Sequence, residues 1–73
     1  MLVEPDYRGH RIQVDAVAAG DRWDAEARIR RVLSEARPHI EMVTCKKLTA
    51  ELAETPGMIW ATRWVDVNVV AGS

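Results

Sequence analysis

Within residues 10–18, HRIQVDAVA, polar and hydrophobic residues alternate from Arg11 to Ala16. One side of this segment carries Ile12, Val14 and Ala16, and the other carries Arg11, Gln13 and Asp15. A period of two predicts a half-buried strand. The Gly-Asp pair in the following AGDR (19–22) predicts a tight hairpin.

Residues 22–33, RWDAEARIRRVL, alternate again and predict a second strand. Its inward side carries Trp23, Ala25, Ala27 and Ile29. The alternation slips after Ile29, and a bulge near Arg30–Arg31 would return Leu33 to the core. SEARP (34–38) predicts a loop, since Pro38 holds the preceding residue in extended geometry.

Residues 39–48, HIEMVTCKKL, predict a third strand with two possible facings. Ile40, Met42 and Thr44 form one set, and Val43 and Cys45 form the other. We predict that Ile40 and Met42 point inward.

The period becomes helical over residues 49–66. Thr55 suits an N-cap and Pro56 suits the first helical position, so we predict a helix over 55–66. Residues 49–54 would then form a separate turn or short helix. The alternative is one kinked helix from Thr49, at a cost of about 3 kcal/mol for the interior proline.

A helix of roughly 12 residues is marginal alone in water, so it must dock on the sheet. The 73 residues therefore predict one α+β domain (1–73), a three-stranded antiparallel β-meander with a C-terminal helix packed on one face. The chain has three Trp and no Phe. We expect Trp64 to anchor the core, Trp60 to lie at its edge, and Trp23 to contribute to a partner surface.

The net charge of −1 argues against a protein whose main role is to neutralise phosphates. The cations are nevertheless concentrated, with six Lys and Arg against two acids in residues 28–47. Arg28, Arg30, Lys46 and Lys47 are candidates for a nucleic-acid or partner surface on the outer side of the sheet. We prefer the interpretation in which these cations pair across strands with neighbouring acids such as Glu26 and Glu41.

The sequence predicts no catalytic, cofactor or metal site. The four glycines are isolated, so they form no phosphate-binding loop, and Ser34 has no Gly-rich elbow around it. His39 and Cys45 share one strand face but would lie about 20 Å apart, too far to bind one ion. Cys45 is the only cysteine, and we interpret it as a small hydrophobe before a reactive thiol.

We expect a cytoplasmic protein without a membrane span. A single cysteine favours a reducing compartment, no apolar run approaches about 18 residues, and the opening MLVEPDYRGHR lacks the apolar stretch of a signal peptide. The tail VNVV, after the predicted helix, would expose Val67, Val69 and Val70 unless they pair as an edge strand or a second subunit covers them. These valines are the predicted contacts of a homodimer.

Three motifs resemble those of short proteobacterial proteins of unknown function. They are Tyr7-Arg8-Gly9, Gly20-Asp21-Arg22-Trp23 and Trp64-Val65-Asp66. The resemblance covers most of the chain and implies an opening strand, a hairpin and a closing helix, but no activity. We therefore predict a small non-enzymatic protein-interaction domain, and the alternative is a nucleic-acid-binding module that uses the outer sheet face.

Overall fold

The computed structural model describes residues 1–71 and shows an α+β fold. One antiparallel sheet, in the order β1-β2-β3-β4, carries a single C-terminal helix. The elements are β1 (Leu2–Tyr7), β2 (His10–Ala19), β3 (Arg22–Arg31), β4 (His39–Lys47) and α1 (Ala50–Ala71). The sheet-plus-helix plan is confirmed, but the expectation of three strands was wrong because β1 precedes them.

Strand β1 contains a proline, which obscures its strand character in the sequence. Pro5 lies on an edge strand, where its missing N–H removes no ladder bond on the side facing solvent. The β1–β2 register also shifts between Glu4 and Tyr7, and an irregularity of this kind accommodates proline. Arg8 and Gly9 then form a two-residue turn, both with positive φ.

The β2–β3 hairpin forms as predicted, and its turn is Gly20-Asp21. Gly20 has a φ of 66°, which glycine adopts at no steric cost. The pairing runs without interruption to His10 opposite Arg31, so the predicted bulge near Arg30–Arg31 is absent. Leu33 lies beyond the strand and is 100% exposed instead of entering the core.

The irregularity falls at the other end of β3, where Trp23 pairs with Lys47 but Ala25 pairs with Val43. Asp24 explains it, because its Oδ1 accepts hydrogen bonds of 3.0 Å from the backbone N–H groups of Cys45 and Lys46. This carboxylate stabilises the extra length of β4, in which Lys46 takes a φ of 49°.

The predicted facing of β4 was also wrong. Ile40 and Met42 are 51% and 49% exposed on the side away from the helix. His39 is paired with the buried Ile29 and faces the helix, as does the half-buried Val43. The polar His39 is accommodated there because its ring stacks on Trp64, with centroids 4.6 Å apart.

The helix is a single element that begins at Ala50, five residues before the predicted Thr55 start. Thr49 caps it, because its Oγ1 accepts a hydrogen bond of 3.2 Å from the N–H of Leu52. Pro56 therefore lies inside the helix. The carbonyl of Leu52 loses its partner there, and water can satisfy it because Leu52 is exposed.

The helix packs on the sheet through its smallest residues. Its fully buried stripe is Ala53, Gly57, Ala61 and Val65. A Cβ at Gly57 would lie 2.7 Å from both Ala25 Cβ and Val14 Cγ1. The backbone of the helix therefore lies close to the sheet at Gly57, and no indole fits between the two layers.

The prediction that Trp64 anchors the core was therefore wrong in detail. The core cluster is Ile12, Val14, Ala25, Ala27, Ile29, Ala61 and Val65. Trp60 and Trp64 are half-buried and pack against its margin, with His39 stacked beside them. The small sheet residues bring the helix close, and bulky helix residues do not fill the space above them.

Candidate interaction surface

The helix covers one face of the sheet, which we call the inner face, and no other part of residues 1–71 covers the opposite, outer face. The strand registers place specific rows of side chains on the outer face. Val3, Gln13, Arg28 and Ile40 form one row, and Asp15, Glu26 and Met42 form the next. Arg11 and Arg30 form a third row beside the first.

Charge on the outer face is separated along the strands, apart from Arg22, which the alternation of β3 places on this face beside Asp24. We call the half with Arg11, Arg28 and Arg30 the arginine end, and the half with Asp15, Asp24 and Glu26 the carboxylate end. An ion pair between the two ends joins Arg28 Nη2 to Glu26 Oε1 at 3.7 Å. Both groups are exposed enough for solvent to screen this pair, so it stabilises the fold little.

Arg11 and Arg30 lie directly opposite each other on β2 and β3. Like charges in this position destabilise a sheet. Within residues 1–71, neither guanidinium has a carboxylate within ion-pair distance. The arginine end therefore carries positive charge that the described part of the chain does not neutralise.

Apolar side chains accompany these charges along β4. Ile40 and Met42 are both about half exposed and lie on the outer face, with Val3 exposed on the far edge strand. Scattered exposed aliphatics need no explanation, but a row of them on an uncovered sheet face is typical of an interface.

The structure separates the predicted basic residues into two groups. Arg28 and Arg30 lie on the outer face, whereas Lys47 pairs with Trp23 at the far end of β3. Trp23 and Arg30 are seven positions apart on β3, about 23 Å at 3.3 Å per residue. Lys46, Lys47 and the half-buried Trp23 therefore do not form one surface with the arginine end.

The valines predicted as homodimer contacts differ in their exposure. Residues 67–70 belong to the helix and not to an extended tail. Val67 is exposed on the helix, while Val69 is half-buried and packs against the core cluster. The side chain of Val70 lies outside the described residues.

Cys45 is positioned as a structural residue. Its Sγ contacts the carbonyl oxygens of Val43 at 3.3 Å and Ala53 at 3.8 Å. Burial, followed by the negative charge of Asp24, raises the pKa of the Cys45 thiol. A thiol with a raised pKa is a poor nucleophile at neutral pH.

The described residues hold no group of three or more His, Cys, Asp or Glu side chains that could bind a metal ion. Over that same part of the chain, no helix combines the length and apolar character needed to cross a membrane.

Arg11 and Asp15 were assigned to the polar side of β2 but were not predicted as interaction residues. The alternation of β2 shows that both side chains face outward, but it does not show which side chains lie opposite them on β3. Only the register brings Arg11 opposite Arg30 and Asp15 opposite Glu26.

Comparisons of this chain with protein-family models, with curated proteins and with solved structures gave no match.

Proposed function

We propose that this protein is a small non-enzymatic interaction domain that forms a homodimer through the outer face of its sheet. The observation that carries the proposal is the separation of the arginine end from the carboxylate end. A surface with opposite charges at its two ends is complementary to a second copy of itself.

The geometry of such a dimer follows from the strand registers. A two-fold axis in the plane of the interface and perpendicular to the strands reverses the strand direction and leaves each strand facing its own copy. With the axis at the level of Ala27, Arg28 of one copy faces Glu26 of the other, and Gln13 faces Asp15. On β4, Ile40 of one copy then faces Met42 of the other, so apolar surface meets apolar surface.

The size of the face suits a small dimer. Four strands about 4.8 Å apart, with about nine residues each at 3.3 Å, give roughly 500 Å² in projection. Side-chain relief adds accessible area, which brings the face toward the roughly 800 Å² per partner of a standard interface. Aligned sheet packing also places the two faces about 10 Å apart, a distance that these side chains can fill.

The test is the molar mass in solution combined with a charge swap. Sedimentation equilibrium of the wild type at tens of micromolar should give twice the chain mass of 8.2 kDa. Arg28→Glu and Glu26→Arg should each weaken the dimer about tenfold or more, since each places like charges across the two-fold axis. The double variant restores both opposite-charge contacts and should dimerise again.

Arg63→Glu is the matched control, because Arg63 is exposed on the helix and lies away from the outer face. It makes the same charge change and should leave the dimer intact. Circular dichroism checks that every variant is folded. A wild type that stays monomeric at these concentrations, or a double variant as weak as the single ones, would refute the proposal.

A second candidate is double-stranded nucleic acid, and the opposed pair Arg11 and Arg30 favours it. Three arginines on an open sheet face could contact phosphates while the sheet lies in a major groove. The carboxylates on the same face oppose such binding, so the dimer is the preferred proposal. Fluorescence anisotropy of a labelled duplex distinguishes the two. Salt-sensitive binding that Arg11→Gln and Arg30→Gln abolish, and Lys47→Gln leaves intact, would favour nucleic acid.

A further inference from the structure

A separate cleft of about 1050 Å³ opens on the inner side of the molecule, beyond the last buried row of the sheet. His10 and Arg31 lie directly opposite each other at its edge. The loop of residues 32–38 forms one wall, and Trp64 and Val69 of the helix form the other. This volume is close to the upper limit of the range of small-molecule sites, about 300–1,000 Å³.

Local hydrogen bonds fix the walls of the cleft. The N–H of Val32 donates to the Gly9 carbonyl at 3.0 Å, which joins the loop to the β1–β2 turn. Ser34 accepts a hydrogen bond of 3.0 Å at Oγ from Ala36, and its own N–H donates to the Arg31 carbonyl at 3.2 Å. The cleft is therefore pre-formed, which lowers the entropic cost of binding.

The charge of the cleft is predominantly positive. Arg8, Arg31 and Arg37 line it against a single carboxylate, Asp6. The Oδ1 atom of Asp6 accepts a hydrogen bond of 3.0 Å from the N–H of Gly9. Arg8 Nη1 lies 3.4 Å from Oδ1 of Asp66 on the helix. Over residues 1–71, Arg31 and Arg37 have no carboxylate within ion-pair distance.

The remaining lining is apolar. Trp64 and Val69 are half-buried, and Leu33 projects fully exposed from the loop. An aliphatic side chain at 100% exposure gains by contact with any apolar group that enters the cleft. The site thus combines two unpaired guanidinium groups with apolar walls.

We infer that this cleft binds a small organic anion, with its phosphate or carboxylate group at Arg31 and Arg37 and its apolar body against Trp64 and Val69. Guanidinium groups bind such anions through paired charge-assisted hydrogen bonds. The inference does not depend on the dimer, because the cleft lies on the inner side of the sheet and stays open when the outer faces meet.

The experiment is an NMR titration of the ¹⁵N-labelled protein with phenyl phosphate. Saturable shifts should be confined to the amides of residues 31–37 and the Trp64 indole N–H. Inorganic phosphate, which lacks the apolar body, should bind at least about tenfold more weakly, and phenol, which lacks the charge, should produce no saturable shift. Benzoate in place of phenyl phosphate tells whether the site prefers a carboxylate.

Arg31→Gln and Arg37→Gln should each weaken phenyl phosphate binding by about tenfold or more. Lys47→Gln, which removes a cation at the far end of the sheet, should leave the affinity unchanged. Arg37 is exposed in the loop, so its variant tests the site without disturbing the core, and the dispersion of the amide spectrum shows that each variant is folded. Unsaturable shifts spread over the surface, or wild-type affinity in both arginine variants, would overturn the inference.

Discussion

The hydroxyl of Tyr7 donates a hydrogen bond of 2.8 Å to Oδ1 of Asp66, and so joins the first strand to the helix across 59 positions of sequence. Arg8 Nη1 reaches the same oxygen at 3.4 Å. Two of the three sequence motifs, Tyr7-Arg8-Gly9 and Trp64-Val65-Asp66, are thus in direct contact. Asp66 lies within the helix and not at its end, and this contact accounts for its acidic side chain there.

Because of this contact, we expect the stability of the protein to fall at alkaline pH. The hydrogen bond to Asp66, followed by burial, raises the pKa of Tyr7 above its ordinary value of about 10. Above pH 10 the unfolded chain therefore loses this proton before the folded chain does. The stability that the contact contributes is complete below the unfolded pKa and is lost as the pH rises through the folded pKa.

Tyr7→Phe should lower the urea midpoint at pH 8, by less than the core change at Gly57 described below, because the bond is only partly buried. Between pH 8 and 11.5 the midpoint of the wild type should fall more steeply than that of Tyr7→Phe. Asp66→Asn is the control and should also flatten the profile. Identical profiles in all three proteins would show that Tyr7 does not carry this dependence.

The start of the helix can be tested at its two candidate caps. Thr49→Ala should destabilise the protein by about 1 kcal/mol, because it removes the Oγ1 acceptor of the Leu52 N–H. Thr55→Ala lies in the interior of the helix and should be neutral or stabilising by up to about 0.5 kcal/mol, from the better helix propensity of Ala. Chemical denaturation measures both, and the reverse order would place the cap at Thr55.

Gly57→Ala should destabilise the protein by about 1–3 kcal/mol. The added methyl group would lie 2.7 Å from Ala25 Cβ and Val14 Cγ1, so the helix must move away from the sheet. The loss is measured by urea denaturation, with Thr55→Ala as an exposed control on the same helix. A gain in stability, as helix propensity alone predicts for Gly→Ala, would mean that the layers are not in close contact.

Cys45 should react slowly with dithionitrobenzoate in the folded protein. At pH 8 we expect a rate at least about tenfold below that of the urea-unfolded chain, because burial and Asp24 disfavour the thiolate. Asp24→Asn keeps an oxygen acceptor for the two backbone N–H groups but removes the charge, so it should react faster than the wild type. Equal rates for the folded and unfolded wild type would contradict the structural role of this thiol.

Elements with a strong periodicity could be assigned from the amino-acid sequence alone. The alternation of β2 and the first half of β3 follows from side chains that point to opposite faces, so Ile12, Val14, Ala25 and Ala27 could be assigned to the core. The outward facing of Arg28 and Arg30 follows from the same rule. The hairpin at Gly20 was equally clear, because few residues adopt a positive φ.

Two elements were predicted wrongly because their local sequence favours a structure different from the one that tertiary packing stabilises. Pro5 concealed an edge strand, and Thr55-Pro56 imitates the start of a helix that begins at Ala50. Local sequence favours both misassignments, and tertiary packing overrides it: β1 gains a neighbour in β2, and the segment before Pro56 buries Ala53.

Which residues contact each other depends on the tertiary structure. The facing of β4 depends on the stacking of His39 on Trp64, and the displacement of both helix tryptophans to the margin depends on the close approach at Gly57. The register likewise brings Arg11 opposite Arg30 and separates Lys47 from both. Periodicity specifies the face on which a side chain lies, whereas its neighbours across the sheet come from distant positions whose alignment is set by turns, bulges and packing. The candidate surfaces of this protein consist of such neighbours.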